Sequence, residues 1–268
     1  MYTETYAAFG KDTVFNLARL NGKKTLLVFF HGIGDSHLNF ECFFHEESLQ
    51  SYDLYIADLL GHGYSSNPND CSFANQCKAL QMQLKPVLNS YERVVFVPHS
   101  MGVVHAIALL SEKFGMFASG MVAINTTVSG EKSFIAKKVA EVIASGANFD
   151  LWFSEFRDYV FEKLANDDAA LRRYFAGLMM VRKDVFKSNA LELRKLVTSD
   201  HSKYVMGEKF INLPIPKLYC TTDSDHDDAR YLREHNVAVL NFKTQSHWVA
   251  QACLKPFCAK LVEFINQL

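Results

Sequence analysis

Residues 93–102 read RVVFVPHSMG, an apolar run that ends in a short turn-forming segment. A run of β-branched and aromatic residues of this length predicts a buried strand, and apolar residues at helical spacing begin directly after Gly102. The pattern is close to G-x-S-x-G, in which a sharp turn between a strand and a helix exposes a serine hydroxyl. Pro98 stands where the first glycine of that pattern would be. The stretch therefore predicts a strand, a tight turn at Ser100 and a helix.

Similar strand-like runs precede and follow this stretch, and segments of helical length separate them. The runs are TLLVFF (25–30), YDLYIAD (52–58), GMVAINTT (120–127), KLYCTT (217–222) and VAVLNF (237–242). Near-continuous apolar runs are typical of strands that are buried on both faces of a parallel sheet. Helices are predicted over residues 36–49, 73–89 and 102–114 and at the C-terminal end. The pattern predicts an α/β protein with a mostly parallel, doubly wound sheet, preceded by an antiparallel hairpin around residues 3–20.

A long helical segment interrupts the alternation of strands and helices. Residues 128–205 contain no strand-like run, and aromatic side chains recur there at helical spacing. We interpret this segment as a helical cap inserted into a core formed by residues 1–127 and 206–268. The aromatic side chains of the cap either pack the cap on itself or face a cleft that binds an apolar part of a substrate. For the second case, the expected binding residues are Trp152, Phe153, Phe156 and, from the core, Trp248.

Composition excludes several classes of partner. With 28 basic and 29 acidic residues, the chain carries a formal charge of -1, so bulk electrostatics attract neither nucleic acid nor anionic membrane. The first residues, MYTETYAAFGKDTVFNL, resemble neither a signal peptide nor a membrane span, so a soluble, cytoplasmic protein is expected. The six cysteines form no C-x-x-C pair and the histidines show no ligand spacing. No metal or cofactor is therefore predicted.

Serine is a poor nucleophile unless a base, an orienting acid and donors for an oxyanion surround it. Three further segments contain histidine residues beside small or acidic ones: HGIGDSHLNF (31–40), DLLGHGYSS (58–66) and QSHWVAQ (245–251). With the Ser100 segment, they resemble the α/β-hydrolase family over nearly the whole core, although not in the cap. Pro98 departs from the family pattern and predicts a slightly displaced turn.

The resemblance implies a role for each matched residue. Ser100 would be the nucleophile, and His247 would be the general base that takes its proton and later returns it to the leaving group. The backbone N–H groups of Ile33 and Met101 would form the oxyanion hole. His31, His62 and His99 fall in turn segments and are expected to shape loops or line the cleft.

The acid of the triad has two candidates. Four aspartates follow the strand in KLYCTTDSDHDD, and the family places its acid at the start of this loop. Counting from the proline that precedes the strand favours Asp225, whereas Asp223 would be the acid if the strand is shorter. Asp227 and Asp228 fit the first turn of the next helix, where acidic residues complement the helix dipole.

A serine at this position suits acyl transfer, because it forms an acyl-enzyme intermediate with an ester or thioester. The predicted function is therefore a carboxylesterase-like serine hydrolase acting on a small-molecule ester or thioester with a partly apolar acyl group. Relatives with serine triads also act as lactonases or cleave carbon–carbon bonds, and others with this fold only bind ligands. Basic pairs in the cap (Lys137–Lys138, Arg172–Arg173 and Arg182–Lys183) could meet an acyl carrier protein. Interleaved acids (Asp167, Asp168 and Asp184) favour a solvated helix face instead.

Overall fold

The computed structural model describes residues 2–163, 169–198 and 202–268. The strands in these residues are β1 (Thr3–Phe9), β2 (Asp12–Arg19), β3 (Thr25–Phe30), β4 (Asp53–Ala57), β5 (Arg93–Pro98), β6 (Gly120–Ile124), β7 (Lys217–Thr222) and β8 (Ala238–Phe242). They form a sheet with the order β1-β2-β4-β3-β5-β6-β7-β8. β5, which leads into Ser100, therefore lies near the middle of the sheet, between β3 and β6.

The direction of strand pairing changes once along the sheet. β1 and β2 form an antiparallel hairpin, with Gly10 at a positive φ of 63° in the turn, and β2 also pairs antiparallel with β4. From β4 to β8 every pair of neighbours is parallel. The predicted hairpin and the predicted mostly parallel sheet are both confirmed. Because the parallel strands end at the same edge, residues that follow β3, β5, β6, β7 and β8 meet there.

Helices cover both faces of the sheet. The α-helices in the described residues are α1 (Phe73–Leu88), α2 (Met101–Leu110), α3 (Phe134–Ala144), α4 (Phe149–Lys163), α5 (Ala169–Met180), α6 (Lys183–Val197), α7 (Val205–Ile211), α8 (His226–Glu234), α9 (Val249–Ala252) and α10 (Leu254–Ile265). Val28 and Phe30 of β3 join the core cluster that includes α1, α2 and the segment between β6 and β7. Leu27 and Phe29 join the opposite cluster with α9 and α10. This division shows the doubly wound arrangement.

The segment predicted as a helix over residues 36–49 is different in the structure. It consists of three short 3-10 helices, His37–Asn39, Glu41–His45 and Glu47–Leu49. The backbone is extended at Glu46 (φ -75°, ψ 122°), which breaks any continuous helix. Phe40 and Phe43 are fully buried beneath the sheet. Burial of these rings on a tightly turned backbone replaces the regular amphipathic helix that the spacing predicts.

In the described residues five α-helices, α3 to α7, lie between β6 and β7; α3 to α6 fall within the segment predicted as a cap, and α7 begins at its last residue. A buried polar chain joins α6 to the core: Gln76 in α1 donates through Nε2 to Asn189 Oδ1 in α6 (3.1 Å) and accepts at Oε1 from His105 Nε2 in α2 (2.8 Å). Asn189 Nδ2 donates to the carbonyl of Cys71 (2.9 Å). Leaving one such buried group without its partner costs about 1–3 kcal/mol, so this side of the inserted segment is firmly attached.

No helix in the described parts of the chain combines the length and the apolar character that crossing a membrane requires.

Candidate active site

Ser100 occupies a strained turn between β5 and α2. Its backbone has φ 52° and ψ -121°, a positive φ that non-glycine residues rarely adopt and that functional sites often hold. The turn is fixed by neighbours: the Ser100 N–H donates to the carbonyl of Ile124 in β6 (3.0 Å). Pro98 is the last residue of β5 and has no N–H to donate. The next N–H, that of His99, donates to the carbonyl oxygen of Phe30 (2.9 Å). The strand pairing therefore continues past the proline into the turn.

The backbone N–H groups of Ile33 and Met101 are available beside Ser100. Neither has an acceptor among the described residues, although Ile33 is 8% exposed and Met101 is 1% exposed. Unpaired buried N–H groups are rare, because a buried donor without a partner costs free energy. Gly32 lies against the serine, since a Cβ added there would be 3.1 Å from Ser100 Cβ. Two preorganised donors in this position can receive an oxyanion that forms on a substrate bound at Ser100.

His247 lies between β8 and α9 and lines the same cavity as Ser100. Its carbonyl oxygen accepts from His99 Nε2 (3.1 Å) and from Asn125 Nδ2 (3.0 Å), which fixes the backbone of this loop. The ring is accessible from the cavity, yet desolvation by the surrounding protein lowers its pKa to about 4. Because His247 is exposed in the structure, solvent offsets part of that effect. The direction of the shift keeps His247 neutral, the form that a general base requires.

His99 supports the histidine loop from beneath. It is 1% exposed, and its ring centroid lies 4.7 Å from that of His247. Burial, together with the nearby His247, lowers the pKa of His99 well below its usual range, so it stays neutral as a donor. Its Nδ1 has no hydrogen-bond partner among the described residues.

The structure places Asp225 near His247 without a hydrogen bond between them. Asp225 Oδ2 accepts from Thr221 Oγ1 and from Tyr219 OH (each 2.9 Å), and Oδ1 accepts from Lys132 Nζ (2.5 Å). The side chain that faces His247 Nδ1 is Asn125, whose Nδ2 is 3.1 Å away. Asp225 and His247 nevertheless line one small cavity beside this network.

The alternative acid, Asp223, is exposed and lines neither cavity that His247 lines. Asp227 and Asp228 fall in the first turn of α8, where the sequence places them. Asp228 is 1% exposed and lies 3.7 Å from Lys132 Nζ, so one lysine is shared between Asp228 and Asp225. Burial and the neighbouring Asp225 raise the pKa of Asp228. Of the two candidates, Asp225 is the one that the fold brings to the site.

An apolar cavity of about 400 Å³ opens above Ser100. Most of its wall comes from α3 to α6, and the loop after β3 and Trp248 complete it; the apolar and aromatic lining residues are Ile33, Phe134, Ile135, Ala136, Phe156, Tyr159, Val160, Leu171, Tyr174, Leu193 and Trp248. Of the four residues predicted to bind an apolar part of a substrate, Phe156 and Trp248 line this cavity. The prediction for Trp152 and Phe153 needs correction: Phe153 packs on Phe186 (4.9 Å between ring centroids), and Trp152 stacks behind Phe156 (5.5 Å). Both support the wall without lining it.

A buried carboxyl group also borders the cavity. Asp35 is 1% exposed, and its Oδ2 accepts from the indole Nε1 of Trp248 (3.1 Å). Its Oδ1 accepts from Asn39 Nδ2 (2.7 Å) and from the Ser36 N–H (2.8 Å). Burial raises the pKa of Asp35 to about 7. The bond to Trp248 ties the loop that carries Ile33 to the loop that carries His247.

His31, which the sequence places in a turn segment, and Asp58 hold the two glycine loops. His31 Nε2 accepts from the Leu59 N–H (3.0 Å), and its Nδ1 donates to the carbonyl of Gly32 (2.8 Å). Asp58 accepts from the backbone N–H of His37 (2.7 Å) and of Tyr64 (2.9 Å). Neither residue lines the cavity above Ser100.

Sequence reasoning missed Asn125, Thr221 and Lys132. Asn125 directly follows β6 and Thr221 lies near the end of β7, at the edge of the sheet where Ser100 lies. The rule that carboxyl ends of parallel strands meet at one edge could have identified these two. Lys132 lies in a 3-10 turn after β6, and no local pattern marks it. The described residues contain no group of three or more histidine, cysteine or acidic side chains that could hold a metal ion.

Comparisons with known proteins agree with this architecture. Among solved structures, E-2-(acetamidomethylene)succinate hydrolase has a TM-score of 0.73 and 16% sequence identity, with 99% of this chain and 100% of that chain covered. MGS-M2, an alpha/beta hydrolase enzyme from a deep-sea metagenome library of the Medee basin, has a TM-score of 0.72 and 19% identity, with 98% of each chain covered. A carboxylesterase structure from Nitrososphaera gargenis has a TM-score of 0.71 and 13% identity, also with 98% of each chain covered.

At these identities the structures show the common fold alone. No curated protein matches the chain. The family model described as alpha/beta hydrolase fold matches residues 25–193, which is more than half of the chain. With the strand order and the turn at Ser100, this match shows that the chain belongs to the alpha/beta-hydrolase fold family.

Proposed function

We propose that this protein is a serine hydrolase that cleaves a carboxylic ester or thioester with a partly apolar acyl group through an acyl-enzyme intermediate. One observation carries the proposal: Ser100 lies at a strained turn, at the floor of an apolar cavity, beside two buried N–H groups that have no acceptor in the described parts of the chain. Structural strain and unpaired donors are both unfavourable for folding, and both serve a reaction at Ser100.

In the proposed mechanism, Ser100 Oγ attacks the carbonyl carbon of the substrate while its proton passes to Nε2 of His247. The carbonyl oxygen becomes an oxyanion that accepts from the N–H groups of Ile33 and Met101; one such donor contributes about 3–4 kcal/mol to the transition state. The imidazolium then gives its proton to the leaving alcohol or thiol, and the acyl group stays on Ser100. A water molecule, deprotonated by His247, releases the acid and restores the serine.

Asp225 is the acid of the triad in this proposal. Its carboxylate is 10% exposed in its side chain and is held by three donors, of which Lys132 is charged. It supplies a negative charge near His247 that favours the imidazolium formed during each proton transfer.

The cavity supports an apolar acyl group. Its lining is dominated by aromatic and aliphatic side chains from the segment between β6 and β7, so the acyl chain would be desolvated there. The proposal covers more than one leaving group, because the similar solved structures carry names as different as a succinate-derivative hydrolase and a carboxylesterase. Lactone opening and carbon–carbon cleavage would use the same serine, base and oxyanion hole. Lactone and β-diketone substrates test these two alternatives.

The basic pairs in the cap do not strengthen the case for a carrier-bound substrate. Lys183 pairs with Asp150 and Arg182 with Asp184, while Lys138 lies 3.8 Å from Glu141. Asp167 and Asp168 lie outside the described residues. A free small-molecule substrate is therefore the simpler proposal.

The cytoplasmic location and the cap boundaries at residues 128 and 205 stay predictions.

A fluorophosphonate probe tests the proposal directly. We expect it to label the wild-type protein and not Ser100→Ala, with Ser119→Ala as a matched control that keeps labelling. Ser119 lies before β6, outside both cavities that His247 lines, and its Oγ accepts from the Val94 N–H (3.2 Å). Folded wild-type protein that fails to react would rule out a serine hydrolase and favour a protein that only binds ligands.

A further inference from the structure

A chain of polar side chains connects the acid Asp225 with His247. His247 Nδ1 lies 3.1 Å from Asn125 Nδ2, Asn125 Oδ1 lies 3.1 Å from Thr221 Oγ1, and Thr221 Oγ1 lies 2.9 Å from Asp225 Oδ2. Each step is of hydrogen-bond length. No direct hydrogen bond joins Asp225 to His247 in the described structure, because Asn125 occupies the position next to the ring.

The Asn125 amide can lie in two orientations that differ by exchange of its oxygen and nitrogen. In one, Nδ2 donates to His247 Nδ1 and to the His247 carbonyl. The imidazole proton is then on Nε2, which therefore cannot accept a proton from Ser100. Thr221 has a single hydroxyl hydrogen in this orientation, but two acceptors, Asn125 Oδ1 and Asp225 Oδ2, lie within its reach.

In the exchanged orientation every donor points toward the acid. His247 Nδ1–H donates to Asn125 Oδ1, Asn125 Nδ2–H donates to Thr221 Oγ1, and Thr221 O–H donates to Asp225 Oδ2. His247 Nε2 is then free to accept the proton of Ser100. The His247 carbonyl keeps His99 Nε2 as a donor (3.1 Å), but the Asn125 oxygen would then lie where Nδ2 is now, 3.0 Å from that carbonyl oxygen, so the amide must also rotate away from it.

We propose that Asn125 is a positioning residue through which Asp225 acts on His247, with Thr221 as the link, and that the orientation of its amide selects the tautomer of the base. The inference rests on the proposed function and deepens it. The proposed steps involve no net gain of protons, because in each acyl transfer the serine proton moves to Nε2 of His247. Asn125 Oδ1 stabilises the charge of the resulting imidazolium, and Asp225 does so through Thr221.

The backbone supports this role for Asn125. Its φ is 39°, a left-handed conformation that asparagine tolerates better than most residues, and its N–H donates to the carbonyl of Cys220 in β7 (2.8 Å). The conformation turns the chain at the end of β6 and aims the amide at His247. Lys132 and Tyr219 hold Asp225 on the far side of Thr221, so the acid keeps its place in the chain of contacts.

Kinetics on p-nitrophenyl butyrate test the inference with four variants. Asn125→Ala should lower kcat by roughly a hundredfold with little change in KM, since it removes tautomer selection and not substrate binding. Thr221→Val should lower kcat in the same direction, while Thr221→Ser, which keeps the hydroxyl, should restore it. Wild-type kcat in folded Asn125→Ala and Thr221→Val, with a large loss in Asp225→Asn, would show direct contact between acid and base and overturn the inference.

Replacement of the amide by a carboxylate gives the sharpest comparison. In Asn125→Asp a carboxylate lies next to His247, so Asp225 is no longer needed. The double variant Asn125→Asp/Asp225→Asn should be at least about tenfold more active than Asp225→Asn alone. A double variant that is no more active than Asp225→Asn would contradict the inference.

The ¹⁵N chemical shifts of His247 give a readout that is independent of turnover. The Asn125→Asp carboxylate should move the titration midpoint of His247 to higher pH, because a neighbouring negative charge favours imidazolium. An unchanged midpoint would overturn the inference even in an inactive protein. Failure of the fluorophosphonate reaction in wild type would instead count against the proposed function, so the two failures are distinguishable.

Discussion

Gly102 in α2 lies against the end of β3, and its replacement by alanine tests how the turn at Ser100 is built. An added Cβ would lie 2.5 Å from the carbonyl oxygen of Phe30 and 2.8 Å from that of His31. Both obstacles are backbone atoms at the end of a buried strand, so no side-chain rotation relieves them. The start of α2 must therefore move by about 1 Å to restore ordinary van der Waals contact.

The expected loss follows from two opposing effects. Overpacking of a well-packed interior costs about 1–3 kcal/mol, whereas alanine is favoured over glycine in a helix by about 1 kcal/mol. We therefore expect Gly102→Ala to lower the free energy of unfolding by up to about 2 kcal/mol. Ser100 and Met101 are attached directly to the displaced turn, and a misplacement of about 1 Å can cost about a hundredfold in rate. The rate of fluorophosphonate labelling should fall by about that factor.

Urea unfolding and labelling rates measured on the same samples test both parts. Gly177→Ala is a graded comparison, because its added Cβ would approach the backbone of Gly34 and Asp35 only to 3.1 Å. Its loss of stability should be smaller than that of Gly102→Ala. If Gly102→Ala unfolds at the wild-type urea concentration and labels at the wild-type rate, close approach of α2 to β3 does not set the geometry of the turn.

Three further predictions concern titration and the cavity. The free energy of unfolding should fall as pH is lowered from 6.5 toward 4, because burial lowers the pKa of His105 to about 4 and the unfolded chain binds more protons in this range. His105→Gln should reduce the slope of that dependence by up to about 1.4 kcal/mol per pH unit; an unchanged slope would show that His105 does not titrate this way. In a Trp152→Phe background, Trp248 fluorescence should titrate near pH 7 as Asp35 ionises, and Asp35→Asn should abolish the transition. Leu193→Trp should lower the ratio of kcat/KM for octanoate to butyrate esters by roughly tenfold, whereas Leu196→Trp, which lines a different cavity, should leave the ratio unchanged.

The strands and the turn at Ser100 could be predicted because their signals are local. Buried parallel strands need near-continuous apolar runs, and β3, β5 and β7 end where those runs end. The helix predicted over residues 36–49 is wrong because the contacts that decide its structure are not local in the sequence. Its aromatic spacing resembles a helix, but the burial of Phe40 and Phe43 depends on a sheet that lies elsewhere in the sequence.

The candidate site shows the same limit. Ser100, His247 and Asp225 follow strands and could be placed at one edge of the sheet from the sequence. Which side chain faces His247 Nδ1 depends on loop geometry within a few ångströms, and the asparagine at the end of β6 takes that position. Likewise, helical spacing shows that Trp152 and Phe156 share a face, but only packing against neighbouring helices decides that Phe156 reaches the cavity.

In the proposed reaction, the buried polar chain from His105 through Gln76 to Asn189 limits the routes by which a substrate would reach Ser100. Displacing α6 would strand at least two buried polar groups, at about 1–3 kcal/mol each, whereas the rim formed by Phe134 and Tyr159 is already 75% and 55% exposed. Substrate entry and product exit are therefore expected between α3 and α4, with α6 acting as the fixed wall against which the acyl chain lies. Selectivity for acyl-chain length would then be set by a rigid surface. The rate at which substrate enters and product leaves would depend on the two exposed aromatic rings of Phe134 and Tyr159.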